Sequence, residues 1–326
     1  MSASRPLQSF LGGLGLTLPV HALLLLNGQV YGISGFLHRA VRGSTEAIAS
    51  VLGLLLGGLF VGLTENAGPQ PFPLPSSHLI VSGLLVGVGT RLANGCTSGH
   101  MIAGISRFSP RSIVATATFF STGVITARLL HGNSLPGTHF FDWSLGTTGK
   151  ALLAFQAVPF IVSTFLYIFA PRQPSDTSDK DASVLPTLRL IASLSTSFEF
   201  ALALRLSNLT EPIRVVTFLL LPSHEAFDPS LAFLALGALP LAILLYQCAR
   251  PGSEQPRLGG LSSVPKGGQI DAKLIAGAAL FGVGWGLSGF CPGPGIVNLG
   301  RALGAGSNPL PMLGWLAAVI TGGFMV

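Results

Sequence analysis

Nine apolar runs, each close to the length of a membrane-spanning helix, constrain the fold of this 326-residue chain most strongly. A helix needs about 20 mostly apolar residues, with a range of about 17 to 25, to cross a bilayer. The runs are continuous rather than alternating in polarity, so they do not match the strands of a membrane barrel. They lie at 8–26, 45–64, 78–93, 110–130, 150–170, 187–205, 229–248, 271–289 and 309–326. The sequence therefore predicts an all-α integral membrane protein with about nine membrane helices.

The charge content supports a membrane location, which we expect to be the plasma membrane. Asp, Glu, Lys and Arg make up 9% of the residues, whereas soluble domains usually carry about 25%. The formal net charge is +6, but the basic residues are scattered through short connections between the apolar runs. This distribution is typical of loop charges that set membrane orientation, and it argues against a nucleic-acid partner. An electropositive route for anions is a second explanation that the charge count leaves open.

A polar stretch divides the chain. Residues 171–186 (PRQPSDTSDKDASVLP) are dominated by Pro, Ser and Asp, as is typical of a solvated linker. The sequence therefore predicts a first transport half at 1–170 and a second at 187–326, joined by this linker. A second polar connection, at 250–271, is rich in Gly, Pro and Ser.

Two short segments, one in each half, resemble one another. With an offset of 195 residues and no gaps, 86–102 (VGVGTRLANGCTSGHMI) and 281–297 (FGVGWGLSGFCPGPGIV) share five identities in seventeen positions. Each segment ends an apolar helix and places a cysteine, Cys96 or Cys291, among small or helix-breaking residues. Interrupted helices at matching positions of two repeats are the best sequence indication of a transporter's binding site. We therefore predict two pseudo-symmetric halves, and the sequence leaves open whether the repeat is inverted or parallel.

The first segment carries the groups that an anion site needs. Gly95 and Gly99 permit backbone turns that point N–H groups inward, and irregular backbone at membrane depth survives only inside protein or beside a water-filled cavity. Open N–H groups, the hydroxyls of Thr97 and Ser98 and a following helix N-terminus would all favour an anion. The Cys96 thiol would offer a sulfur anion a weak S–H donor that does not trap it.

The second segment interrupts its helix with two prolines and two glycines at 292–295 (PGPG). Proline cannot donate a backbone hydrogen bond, so the polar groups beside it must be satisfied by something else. Upstream in the first segment, Gly87 and Gly89 are expected to allow close helix contact because they carry no side chain. The predicted substrate-binding residues are Cys96, Cys291, Gly95, Thr97, Ser98, Gly99, His100, Arg91, Pro292 and Gly293.

Several of these residues have a second interpretation. A membrane cysteine is often a small packing residue, and packing or a place at a helix end is what we expect of Cys248, outside the repeated segments. His100 fits a helix-capping or packing role as well as that of an anion donor. Cys96 and His100 could share a metal ion, but no further ligands are evident, so no metal or other cofactor is predicted.

Charged residues near the apolar runs also have two interpretations each. Arg91 and Arg107 flank the first segment, where they could attract an anion or extend to the membrane interface. Glu199 lies in a mostly apolar stretch, where a charge is costly and often functional. It could couple protons to transport or pair with Arg205.

Several motifs together resemble the YeeE/YedE sulfur-transport family. Those in the first half are 27–35 (NGQVYGISG), 89–92 (GTRL), 95–100 (GCTSGH) and 106–109 (SRFS). The second half resembles the family's companion module, most closely at 227–233 (FDPSLAF) and 284–294 (GWGLSGFCPGP). The resemblance covers nearly the whole chain outside the linkers. It implies a helical membrane protein with pseudo-symmetric halves and short re-entrant helices that dip in from both sides.

The resemblance also implies a substrate and a path. Members of the family take up thiosulfate, and by motif Cys96 and Cys291 would pass the ion along through weak S–H contacts. Some members have a third cysteine on this path, whereas the first loop here has Tyr31 and Ser34 where a thiol would be expected. No sulfur-carrier or rhodanese-like domain is evident, so we expect any such partner to be a separate protein.

Two other functions are left open by the residues themselves. One is a membrane thiol oxidoreductase or persulfide transferase that uses the same cysteines. The sequence has no CxxC pair and no quinone or flavin motif, so we predict that the chain is not an enzyme. The other is transport of a different anion or a metal ion, although the few carboxylates in the apolar runs disfavour hard cations.

Overall fold

Helices make up the fold in the computed structural model, which describes residues 3–70, 74–132, 135, 140–171, 185–249, 256–265 and 267–326. The helices are α1 (Pro6–Asn27), α2 (Ile33–Val41), α3 (Thr45–Glu65), α4 (Ser76–Leu92), α5 (Ala103–Ile105), α6 (Pro110–His131), α7 (Gly146–Phe169), α8 (Pro186–Leu206), α9 (Pro212–Leu219), α10 (Ser230–Ala249), α11 (Ala272–Ser288), α12 (Pro292–Gly304) and α13 (Leu310–Phe324). A π-helical turn, Ser98–Ile102, leads directly into α5. No strand forms within these described ranges, and the all-α prediction is confirmed.

The nine predicted apolar runs coincide with α1, α3, α4, α6, α7, α8, α10, α11 and α13, with ends that agree within four residues. In the part of the chain that the structure describes, seven helical stretches are long and apolar enough to cross a membrane. One of them, Ala272–Gly304, contains both α11 and α12, whereas α4 with 17 residues and α13 with 15 residues are shorter. The count of about nine membrane helices therefore stays a prediction.

Exposed apolar side chains cover the outward face of α7. Val158 is 60% exposed and Ile161 is 62% exposed, and Phe165 and Phe169 are exposed beside them. A continuous apolar surface of this kind would be unfavourable in water, because removing apolar surface from water lowers the free energy. Against lipid the same surface is stable, so α7 lies at the boundary between protein and bilayer.

The strongest helix pairs join the two predicted halves. Helix α1 packs on α8 and α10, α3 packs on α8 and α12, α4 packs on α11 and α13, and α6 packs on α11. If α1 corresponds to α8, α3 to α10, α4 to α11 and α6 to α13, each pair corresponds to itself or to another pair in this set. The exception is α3 with α12, which pack much more extensively than α10 packs on α5 and the π-helical turn. The halves therefore interleave in a pseudo-two-fold pattern. The predicted division stays a prediction, since residues 172–184 of the linker lie outside the described residues.

Glycines of the two repeated segments make matching contacts. A Cβ atom at Gly89 on α4 would collide with the backbone of α11, and one at Gly284 on α11 would collide with the backbone of α4. In the same way Gly87 lies against α13, and its counterpart Gly282 lies against α6. Helices approach this closely only where no side chain separates their backbones. The expected close helix contact at Gly87 and Gly89 is confirmed.

Two glycines of α13 offer a matched test of this packing. A Cβ atom at Gly322 would overlap the carbonyl oxygen of Leu84 on α4, whereas one at Gly314 would lie 3.3 Å from the Ile80 Cδ1 atom. Overpacking typically costs about 1–3 kcal/mol, so Gly322→Ala should lower the thermal unfolding temperature of the purified protein in detergent. Gly314→Ala should leave it unchanged or raise it, because alanine favours a helix by about 1 kcal/mol over glycine. Equal unfolding temperatures would contradict the close α4–α13 contact.

Candidate functional site

An inner cavity of about 170 Å³ lies between helices of both halves. Its walls are largely aromatic and aliphatic, and Phe119, Phe120 and Phe200 are among them. Cys96 and Cys291 line it together, and both are buried, with 2% and 3% of their surfaces exposed. The inner cavity therefore brings together the two repeated segments that contain these cysteines.

The first cysteine loop, residues 93–102, follows the end of α4. Asn94 reverses the chain in the left-handed region, with φ 54°, a conformation that asparagine tolerates better than most residues. The Gly95 N–H then donates to the Thr90 carbonyl at 3.0 Å. The Cys96 Sγ atom lies 3.3 Å from the Ser98 Oγ atom, and the π-helical turn carries the chain onward. Such turns are rare overall but frequent at functional sites. This one directly follows Cys96 and Thr97, which line the inner cavity together with Ser98.

The second cysteine loop, residues 289–291, follows the end of α11. Gly289 has φ 70°, and it lies so close to the Pro212 backbone that no side chain would fit. Cys291 then precedes α12, which begins with Pro292, a residue favoured at the first helical position. The Thr97 Oγ1 atom donates to the Cys291 Sγ atom at 3.7 Å. The two cysteine loops therefore touch at the inner cavity.

A wider vestibule of about 670 Å³ lies beside the first cysteine loop. Six arginines line it, namely Arg39, Arg42, Arg91, Arg107, Arg111 and Arg189. Among the described residues of its lining there is no Asp or Glu, although Glu46 pairs with Arg189 at 2.7 Å from outside the lining. A cleft lined by one sign of charge raises the local concentration of the opposite charge. The vestibule is therefore suited to gathering anions.

A thin partition separates the vestibule from the inner cavity. Gly32 and Gly99 line the vestibule, while their neighbours Ile33 and Ser98 line the inner cavity. The backbone N–H of Ile33 donates to the Ser98 Oγ atom at 3.3 Å. This hydrogen bond joins the start of α2 to the first cysteine loop within the partition.

The two cysteine loops descend from opposite faces of the protein. Helix α6 has 22 residues, about 33 Å at a rise of 1.5 Å per residue, and Arg111 in its first turn lines the vestibule. Arg91, at the end of α4, lines the same vestibule. Leu287, at the end of α11, instead accepts a hydrogen bond from His131 at the far end of α6, at 2.9 Å. The two segments are therefore inverted relative to one another.

The ten predicted binding residues divide between the two spaces. Those that line the inner cavity are Cys96, Thr97, Ser98, Cys291, Pro292 and Gly293. Those that line the vestibule are Arg91, Gly95, Gly99 and His100. Their role in binding stays a prediction, and their placement agrees with a route that passes from one space to the other.

The contacts of His100 favour its capping and packing interpretation. Its Nδ1 atom lies 3.2 Å from the Ser112 Oγ atom, and its Nε2 atom lies 3.2 Å from the Ala93 carbonyl oxygen. Because a carbonyl oxygen only accepts, the Nε2 atom carries the proton. The imidazole ring thus ties the first cysteine loop to α6.

Two further expectations concern residues outside both spaces. Cys248 is exposed near the end of α10. The alternative that paired Glu199 with Arg205 is wrong, because Arg205 binds Glu65 at 2.7 Å and Glu211 at 3.0 Å instead. Among the described residues the two buried Glu199 carboxylate oxygens have no hydrogen-bond partner.

Tyr31 occupies the loop where the resemblance led us to expect a third thiol. It is fully buried, stacks on Phe200 with 4.6 Å between ring centroids, and donates to the Ser197 Oγ atom at 3.1 Å. Ser34, its companion in that loop, lines the vestibule. The first loop therefore contributes a packed ring and a hydroxyl to this region.

Sequence reasoning missed part of both linings. Trp285 and Thr116 line the inner cavity, and the polar connection predicted at 250–271 contributes Leu261 and Ser263 to the vestibule wall. Trp285 was visible inside the repeated segment, but nothing in the sequence marked the direction of its side chain. Thr116 had no signal, because a threonine in an apolar run is common.

Comparisons with known proteins find a family match on each side of the polar linker. Residues 3–126 match a family model described as sulphur transport, and residues 188–325 match a family of unknown function. A probable transporter of Xylella fastidiosa (strain 9a5c) is 49% identical over 123 residues, which are 37% of this chain and 91% of that relative. A second probable transporter of the same strain is 37% identical over 136 residues, which are 42% of this chain and 88% of that relative. The chain therefore belongs to the YeeE/YedE family of sulfur transporters, and it is an integral membrane transporter rather than an enzyme.

Proposed function

We propose that this protein takes up thiosulfate, or a related sulfur-containing anion, across the plasma membrane. The observation that carries the proposal is that two thiols, on loops descending from opposite faces, line one inner cavity. A route for such an anion needs contacts that are weak enough to release it. Thiols are weak hydrogen-bond donors and weak acceptors, so they meet this requirement.

The first step of the proposed route is attraction of the anion into the vestibule. The six arginines there act together, because their charges lie around one space. Arg91 stands at the end of α4, next to the first cysteine loop. Attraction over longer distances is screened within about 8 Å at physiological ionic strength, so the vestibule acts on anions that are already close to the membrane surface.

The second step is passage through the inner cavity. Separation of Ile33 from Ser98 admits the anion, which then contacts the Cys96 thiol and the Cys291 thiol. Thr97, on the first cysteine loop, has its hydroxyl 3.7 Å from the Cys291 Sγ atom. It can therefore contact the anion while the anion moves from one loop to the other. The N-terminus of α12, which starts beside Cys291, attracts negative charge. The anion leaves on the face where α11 ends.

Uptake of labelled thiosulfate tests the proposal. Cells that lack other sulfur sources should accumulate the label when they produce this protein, and cells with an empty vector should not. Unlabelled thiosulfate should compete with the label, and a panel of sulfate, phosphate and sulfite should identify any anion that the protein prefers. If producing cells accumulate no more label than control cells while the protein is present in the membrane, the thiosulfate assignment is overturned.

A separate sulfur-carrier protein on the receiving side is part of the proposal as an optional partner. Purified protein in proteoliposomes separates the contribution of the transporter from that of a carrier, because no other protein is then present. We expect labelled thiosulfate outside the proteoliposomes to exchange with unlabelled thiosulfate loaded inside them. A strict requirement for an added carrier would instead assign the release step to that partner.

A further inference from the structure

The polar groups of the inner cavity fall into two sets. The lining residues that carry a thiol, hydroxyl or side-chain N–H are Cys96, Thr97, Ser98, Thr116, Trp285 and Cys291. Four of these contact one another, through the Thr97–Cys291 hydrogen bond at 3.7 Å and the Cys96–Ser98 contact at 3.3 Å. Thr116 and Trp285 belong to neither contact, and among the described residues their hydrogen-bonding groups are uncommitted.

The uncommitted groups are enclosed as well as unpaired. Trp285 is 6% exposed, and within the described residues neither its Nε1 atom nor the Thr116 Oγ1 atom has a hydrogen-bond partner. Buried polar groups in native proteins are nearly always paired, so each exception needs an explanation. Two exceptions beside the same cavity have one explanation in common, namely an acceptor that is present only when cargo occupies the cavity.

The indole ring of Trp285 is held in place by its neighbours. It meets Phe119 edge to face, with 5.9 Å between ring centroids and an interplanar angle of 83°, and it lies parallel to Phe281 at 6.3 Å. A Cβ atom at Gly123 would lie 3.2 Å from the indole ring, so the ring is also close to the α6 backbone. Thr116 lies on the same helix, one turn before Phe119. The indole ring is therefore held in place against the helix that carries Thr116.

The cavity offers cargo donors without positive charge. Among the described residues of its lining there is no Arg, Lys, His, Asp or Glu, and the arginines end at the vestibule. An anion that enters therefore loses water and gains only neutral donors and apolar walls. This exchange is most costly for compact anions whose whole surface is strongly hydrated, and least costly for an anion with one soft, weakly hydrated end.

We propose that Trp285 and Thr116 form an oxygen-binding subsite, which works with the two thiols to select anions that have both oxygen acceptors and a terminal sulfur. The oxygens accept from the Trp285 N–H and the Thr116 O–H, while the sulfur end lies against the thiols and the aromatic walls. This inference rests on the proposed function, since it specifies how the same cavity distinguishes thiosulfate from sulfate.

Kinetics of thiosulfate uptake provide the first test. Trp285→Phe keeps an aromatic ring but removes the N–H, and Thr116→Val keeps the shape but removes the hydroxyl. Each should raise the KM for thiosulfate about tenfold with a smaller change in the maximal rate, and Thr116→Ser should restore the KM. The control is Thr118→Val on the same helix. The Thr118 hydroxyl already donates to the Val114 carbonyl at 2.8 Å, so this substitution should leave the KM for thiosulfate unchanged.

Fluorescence of the purified protein provides a second test that does not depend on transport. Thiosulfate should change the tryptophan emission of the unaltered protein, sulfate at the same concentration should not, and the change should be absent in Trp285→Phe. Trp143 and Trp315 remain in that variant as internal references.

The outcomes separate the subsite from the proposed function. If the unaltered protein takes up thiosulfate while Trp285→Phe and Thr116→Val keep its KM, or while its emission does not respond to thiosulfate, the subsite is overturned and the proposed function stands. If the unaltered protein takes up no thiosulfate, the proposed function is overturned. An emission change with sulfate equal to that with thiosulfate overturns the selectivity.

Discussion

Replacement of either cavity cysteine by alanine is expected to reduce thiosulfate uptake about tenfold or more. Each thiol lies on its own loop, and both line the inner cavity, so neither can replace the contact made by the other. Hydrogen bonds to charged groups contribute about 1.5–3 kcal/mol, and a weak thiol donor belongs at the low end of that range; about 1.4 kcal/mol corresponds to a factor of ten in a rate. Initial uptake rates of Cys96→Ala and Cys291→Ala, corrected for the amount of protein in the membrane, measure this effect.

The third cysteine supplies the matched control for this series. Cys248 is exposed near the end of α10, away from the residues that line the inner cavity, so Cys248→Ala should keep the full rate. The double variant of Cys96 and Cys291 should show no uptake above background. Undiminished uptake in both single variants would contradict a relay through the thiols, even if thiosulfate is the substrate.

Arg214→Met is expected to destabilise the protein by about 3–5 kcal/mol, the usual cost of removing one partner of a buried ion pair. Arg214 is 2% exposed, and its guanidinium binds Glu211 at 2.7 Å and Asp228 at 2.8 Å. Asp228 is as deeply buried, so loss of the arginine leaves its charge without compensation. The thermal unfolding temperature in detergent should fall by several degrees.

A surface pair provides the control for this prediction. Arg5 lies 4.0 Å from Asp142, with about a third of each side chain exposed, and exposed pairs contribute only about 0–1 kcal/mol. Arg5→Met should therefore leave the unfolding temperature nearly unchanged. Arg214→Met combined with Asp228→Asn should recover part of the loss, because the unpaired buried charge is removed while the amide oxygen can still accept from Ser230. Equal unfolding temperatures for Arg214→Met and Arg5→Met would contradict the assigned role of the buried pair.

The long helices were predictable because the bilayer sets a length that a local pattern can reveal. All nine apolar runs became helices, since each could satisfy its backbone hydrogen bonds internally. The short helices α2 and α9, with 9 and 8 residues, were not located by hydrophobic length because they are too short to span a bilayer; only the family resemblance implied short helices of this kind. Their stability comes from the helices that surround them, which no local pattern shows.

The candidate site was predictable in part for a similar reason. The cysteine motifs are local, because each combines a thiol with glycines or prolines that interrupt a helix. The vestibule is not local, since its arginines come from separate segments that include Arg39, Arg107 and Arg189. Each of these residues has an ordinary interpretation as a loop charge when it is considered alone. Only their convergence around one space makes them an anion-attracting surface.

The sequence by itself determined that this chain is a helical membrane protein with two cysteine-containing interruptions, because hydrophobic length and helix-breaking residues act over a few turns of chain. The tertiary structure decided that these interruptions enter from opposite faces and share one cavity. It also decided that Thr116 and Trp285 lie beside that cavity with no hydrogen-bond partner for their side chains within the described part of the chain. These features depend on which helices pack together, and close packing at glycines such as Gly89 and Gly284 is a relation between distant segments.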